Sequence, residues 1–154
     1  MIILIGLQAS GKTTFFQRHF AKTHEHISGD LLRNNRHPVR RQAQLIEAAL
    51  QVPRSVVIDN TNPTREVRES LIRLGHIYGA EVSGYYFETE VKASIERNKQ
   101  RTGKAKVPVV AIYTTAKKLT RPTYAEGFDK LFSVRIADGG TFVVRDWVDD
   151  QAIS

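Results

Sequence analysis

The stretch Gly6-Leu7-Gln8-Ala9-Ser10-Gly11-Lys12-Thr13 fits the pattern G-x-x-x-x-G-K-[ST] and follows the short apolar run Met1–Ile5. That run reads as a buried strand, and a helix carrying Phe15, Phe16 and Phe20 is expected from Lys12 to about Lys22. A strand feeding a glycine-flanked loop that opens into a helix narrows the fold more than any other feature of the chain. Gly6 and Gly11 permit backbone angles that a side chain would obstruct. Successive N–H groups can then curl into an anion nest, to which the positive end of the helix adds. The predicted phosphate-binding set is Gly6, Gln8, Ala9, Ser10, Gly11, Lys12, Thr13 and Thr14. Lys12 can reach the β- and γ-phosphates of a nucleoside triphosphate, and the Thr13 hydroxyl can ligate Mg²⁺. The loop does not name an acceptor: a kinase, an ATPase and a GTPase all remain open.

The rest of the chain alternates strand and helix patterns. Ser28-Gly29-Asp30 reads as a strand end turning into a helix, and Pro38 to Leu50 as a second helix. The β-branched run Ser55–Ile58 ends in Asp59. Pro63 opens a helix to Tyr78, with Val67, Leu71, Ile72 and Leu74 on its buried side and Gly79 ending it. A strand is expected over Glu81–Phe87, helices over Glu90–Arg101 and Pro108–Leu119, and a hairpin over Lys130–Ile136 and Thr141–Asp146. This order predicts the α/β class: a P-loop kinase fold with a mostly parallel sheet flanked by helices and a C-terminal antiparallel edge hairpin. No repeat or linker divides residues 1–154, so one domain is expected. The absence of cysteine excludes disulfides and thiolate zinc sites and fits a reducing cytoplasm, the expected location. No apolar run approaches the roughly 20 residues of a membrane span, and no basic region precedes the first strand as in a signal peptide.

The net charge of +7 points to an anionic partner, and its distribution says where. Nine of the basic residues and only one acid fall between Lys92 and Arg121. Within that stretch, Arg97 and Arg101 are spaced to share a helix face, and residues 97–107 are expected to form a cationic lid over the triphosphate. Two acids fall at carboxyl ends of strands, where α/β sheets gather ligands. Asp30 is the candidate general base for an acceptor hydroxyl, and Arg33, three residues on, can keep it ionised and grip an acceptor phosphate. A helix cap at Asp30 and a surface position for Arg33 are the plainer alternatives. Asp59 stands where an acid would hold Mg²⁺ directly or through water. The following Asn60-Thr61-Asn62-Pro63 should line the mouth of the site, or serve as turn with Thr61 or Asn62 capping the next helix. His24-Glu25-His26 reads as a solvated turn. Trp147, Tyr85, Tyr86, Tyr113 and Tyr124 could stack on bases but mostly read as core or rim packing; Tyr124, expected close to the nucleotide side, is the one to test.

GLQASGKTT, SGDLLR, VVIDNTNPT, ERNKQRTGKAKVP and PTYAEGFDKLF together resemble the kinase module of the 5′-polynucleotide kinases, over Ile2 to about Val144. The resemblance implies transfer of the γ-phosphate of ATP to 5′-hydroxyl ends of DNA or RNA. By matching positions, Lys12 and Thr13 would serve the phosphates and Mg²⁺, and Asp30 would be the base. Arg33 would contact the phosphate beside the acceptor nucleoside, Asp59 would be an essential acid, Arg101 the lid arginine, and Arg97 a neighbour of the nucleotide. Many relatives join this module to a phosphatase or ligase domain, which 154 residues are too few to hold. Two rival readings are a small-molecule kinase with a nucleoside, sugar or antibiotic acceptor, and a nucleotide-dependent nucleic-acid-binding module without transfer.

Overall fold

Alternate residues of the first strand, β1 (Ile2–Ile5), serve two different cores. Ile3 and Ile5 join one buried cluster, and Ile2 and Leu4 join another on the opposite face. A strand apolar on both faces belongs inside a sheet covered on both sides. The computed structural model describes residues 1–29, 36–51 and 55–149 and shows this arrangement. The other elements are α1 (Lys12–His19), β2 (His24–Ser28), α2 (Pro38–Gln51), β3 (Ser55–Asp59), α3 (Arg65–Ile77) and β4 (Ser83–Phe87). They are followed by α4 (Val91–Lys99), α5 (Val109–Lys118), β5 (Lys130–Ile136) and β6 (Phe142–Asp146). The six-stranded sheet has the order β2-β3-β1-β4-β5-β6, parallel except for the β5–β6 hairpin.

The α/β class, the parallel sheet and the antiparallel edge hairpin thus follow the pattern of the sequence. One cluster takes Ile46 and Ala49 from α2 and Leu71 and Ile72 from α3; the other takes Phe15 and Phe16 from α1. The Phe15 ring meets Phe87 edge-on at 5.3 Å and Phe142 at 5.2 Å between centroids. Such pairs contribute about 0.5–1.5 kcal/mol each beyond their buried area. They seat the start of α1 against β4 and β6. No helix among the described residues is long and apolar enough to cross a membrane.

Several boundaries differ from the sequence pattern. His24-Glu25-His26 is not a turn: it begins β2, whose five residues pair in parallel register with β3 from Ser55 to Asp59. The backbone partners offered by β3 outweigh the poor strand propensity of His and Glu. Helix α1 stops at His19, with the Phe20 N–H still bonded to the Phe16 carbonyl. Helix α3 starts at Arg65, and its cap is Thr64, whose hydroxyl accepts from the Val67 N–H. Neither Thr61 nor Asn62 caps it. Val67 is exposed, and the fully buried residue on that helix is Arg68. Helix α4 ends at Lys99, so Arg101 lies beyond the helix and does not share a helical face with Arg97.

Candidate active site

The register of β1 with β3 builds the site. Leu4 pairs with Asp59, and the Gly6 N–H donates to the Thr61 carbonyl at 3.0 Å. Asn62, at φ 43°, is buried and donates its side-chain amide to the Leu4 carbonyl at 2.7 Å. The glycine loop and the segment after β3 are therefore tied together at their bases. Gly11 at φ 95° caps α1, a conformation suited to glycine, and a Cβ there would press on Ile136 and Phe142 at 3.1 and 3.2 Å. A Cβ on Gly6 would lie 3.0 Å from the Phe87 Cβ. Both glycines let the loop lie close against the sheet.

A cleft of about 600 Å³ opens above this junction, lined by Gln8, Ala9, Ser10, Lys12 and Thr13 of the loop and by Ser28, Gly29, Asp59, Asn60 and Thr61. Arg101, Ala105 and Val107, from the segment between α4 and α5, also line it. Lys12 is buried, and its Nζ donates to the Gly6 carbonyl at 3.0 Å and to the Leu7 carbonyl. The ammonium is thus held over the concave side of the loop. The Thr13 hydroxyl donates to Asp59 Oδ2 at 2.8 Å. His26 Nε2 meets the same Oδ2 at 2.8 Å, and its ring stacks on Phe16 with centroids 4.2 Å apart and planes 15° from parallel.

Burial pushes the Asp59 carboxyl pKa up, but hydrogen bonds from His26 and Thr13 and the charge of Lys12 together hold it below the ordinary carboxylate value. A depressed folded pKa stabilises the fold above the unfolded value, and this is lost as pH falls through the folded one. Melting temperature measured against pH should therefore fall below about pH 4 in part through Asp59. In Asp59→Asn that part of the acid limb should flatten; an unchanged limb would contradict the ionised state.

Of the residues 97–107 expected to form a lid, 97–99 belong to the end of α4 and the rest connect it to α5. Asn98 bonds Val107 twice, from Nδ2 to its carbonyl at 2.7 Å and from its N–H to Oδ1 at 3.0 Å, closing the base of the loop. Arg101 donates to the Ala105 carbonyl at 3.1 Å. Thr102 through Lys106 are exposed. Gln8 reaches α5, donating to the Thr115 hydroxyl at 2.8 Å. Thr14 is exposed on α1, and neither Arg97 nor Tyr124 lines the cleft. The Tyr124 hydroxyl instead accepts from the Leu131 N–H at 3.2 Å. Asp30 and Arg33 lie outside the described residues.

Three residues escaped the sequence reading. His26 was assigned to a turn; only its register beside Val57 puts it on the same side of the sheet as Asp59, and the period-two run of His24, His26 and Ser28 was the available signal. Arg68 donates through Nε to Glu126 Oε1 at 2.7 Å and through Nη1 to the carbonyls of Asn62 and Pro63 at 3.0 and 3.1 Å. Glu126 also accepts from the Thr123 N–H at 2.8 Å. This buried pair braces the segment that follows Asp59.

A family model described as an AAA domain matches residues 1–122. The chain belongs to this AAA domain family, AAA_33. The chain is similar to the bifunctional polynucleotide phosphatase/kinase of Schizosaccharomyces pombe, 25% identical over 138 residues. The match takes in 87% of this chain but only 33% of that relative, so the chain spans about a third of the relative's length. Its fold is similar to a gluconokinase from Sinorhizobium meliloti, with a TM-score of 0.63, 20% identity, and 89% and 82% of the two chains covered. It is also similar to Chaetomium thermophilum Kti12 in complex with ADP-AlF3, with a TM-score of 0.63, 18% identity, and 98% and 91% covered. At these identities the AAA_33 chain shares a fold with both: a P-loop kinase-like, nucleotide-binding α/β domain.

Proposed function

We propose that the protein transfers the γ-phosphate of ATP, with Mg²⁺, to the 5′-hydroxyl end of DNA or RNA. The observation that carries the reading is a cleft lined both by Lys12, Thr13, Asp59 and Arg101 and by Ser28, Gly29, Asn60 and Thr61. Gly29 directly precedes Asp30 in the sequence. The likeness to a polynucleotide phosphatase/kinase and the basic stretch from Lys92 to Arg121 favour a polyanionic acceptor.

The donor set suits Mg²⁺. Thr13 and Asp59 offer hard oxygen ligands, and no group of three or more His, Cys, Asp or Glu among the described residues forms a metal cage. Mg²⁺ takes most of its ligands from phosphates and water, so two protein oxygens are the appropriate number. When bound it would neutralise charge on the β- and γ-phosphates. Lys12, released from the loop carbonyls, would hold the phosphates. Arg101 would stabilise negative charge on the transferring group. Asp30 would accept the proton of the attacking hydroxyl, and Arg33 would orient the acceptor through its neighbouring phosphate.

Incubation with γ-labelled ATP and a 5′-hydroxyl oligonucleotide tests this. Label should enter the strand, and Asp30→Ala should slow it by about 10²–10⁴-fold with ATP affinity kept. Arg33→Ala should raise the acceptor KM more than the ATP KM. An Asp30→Ala enzyme as fast as the parent would remove the assigned base.

A further inference from the structure

We propose that His26 is a positioning residue for Asp59, pinning Oδ2 so that Oδ1 stays available to a Mg²⁺–nucleotide. Asp59 Oδ2 accepts two hydrogen bonds, from the Thr13 hydroxyl and from His26 Nε2, both at 2.8 Å. A carboxylate has no proton to give, so Nε2 is the donor and the imidazole carries its hydrogen there. Among the described residues no donor meets Oδ1. Two donors converging on one oxygen from different elements, α1 and β2, fix the rotation of the carboxylate, which a single hydroxyl would leave free.

The imidazole is itself held. The Phe16 ring stacks on it from one turn inside α1, three residues after Thr13. Its backbone is fixed by parallel pairing with Val57, two residues before Asp59 on the same side of β3. A partly exposed histidine on an edge strand needs no partner for its own sake, since water would serve it. Here its aromatic face is covered by Phe16, and its Nε2 edge meets a carboxylate that is almost fully buried. Groups that orient the groups contacting a metal are worth about 10- to 100-fold in metal affinity or activity when removed.

The inference rests on the Mg²⁺–ATP part of the proposed function and is independent of the acceptor. ATP binding to the whole chain is measured by calorimetry with Mg²⁺ and again with a chelator, for the parent and for His26→Ala, His26→Gln and His26→Asn. In the parent, Mg²⁺ should tighten ATP binding; no increment there would overturn the Mg²⁺ reading itself, whatever the variants do. His26→Ala should lose about 10- to 100-fold of the Mg²⁺-supported affinity and keep the Mg²⁺-free affinity. The Gln side-chain amide can place its nitrogen close to where Nε2 stands, so His26→Gln should recover most of the loss. Asn is too short and should resemble Ala. Equal losses with and without Mg²⁺, accompanied by a lower melting temperature, would mark a merely structural residue and overturn the proposal. So would an unaltered His26→Ala, or a Gln variant no better than Ala.

Discussion

Lys12→Met is expected to lower phosphoryl transfer by about 10²–10³-fold, the usual loss when one preorganised donor to a reacting oxyanion is removed. The ammonium sits buried against the Gly6 and Leu7 carbonyls, so its charge is already desolvated and aimed at the inner side of the loop. A buried cation acts on phosphate oxygens with less screening than one in water. Methionine keeps the length and apolar stem and removes the charge alone. Single-turnover transfer rates, with ADP affinity measured alongside, check the result: the rate should collapse much further than ADP binding. A rate within a fewfold of the parent would show that the loop does not act on the transferring phosphate.

Arg68→Met should destabilise the fold by about 3–5 kcal/mol, because it leaves a buried carboxylate without its counter-charge. Arg68 is completely buried, and the side chain of Glu126 is 2% exposed. Removing the guanidinium also strips donors from the Asn62 and Pro63 carbonyls. For a domain of this size the cost corresponds to a fall in melting temperature of about 6–20 °C. The double variant Arg68→Met with Glu126→Leu should recover part of the loss, since a buried pair replaced by apolar groups is often near neutral. Thermal unfolding of the three proteins decides it. A single variant that melts with the parent would mean that the pair does not brace the segment after Asp59.

Legibility in the sequence followed how local the physics was. The glycine loop could be read outright, because its spacing encodes backbone conformation and the flanking strand and helix are strongly patterned. Asp59 could be read as an acid ending a β-branched run. β2 could not: its residues HEHIS carry little strand signal, and their pairing comes from β3, a neighbour in space. His26 was hidden with it, since its distance to Asp59 exists only once that register is set. Arg68 was hidden for a different reason. Two overlapping helical faces fit α3, and a charged residue argues against choosing the one that contains it until Glu126, 58 residues away, is brought opposite. The lid arginine was assigned to a continuous helix, which instead stops at Lys99; Arg101 reaches the cleft from the loop beyond it.

The identity of the acceptor is most directly tested by competition. The protein is given γ-labelled ATP, Mg²⁺ and an equimolar mixture of a 5′-hydroxyl oligonucleotide, a free nucleoside and gluconate, with a 5′-phosphorylated oligonucleotide as control. The expected result is label on the 5′-hydroxyl strand alone, with an acceptor affinity that falls about 20-fold between roughly 50 and 200 mM salt if about three cations hold its phosphates. Label on the nucleoside or on gluconate, with none on the strand, would contradict it.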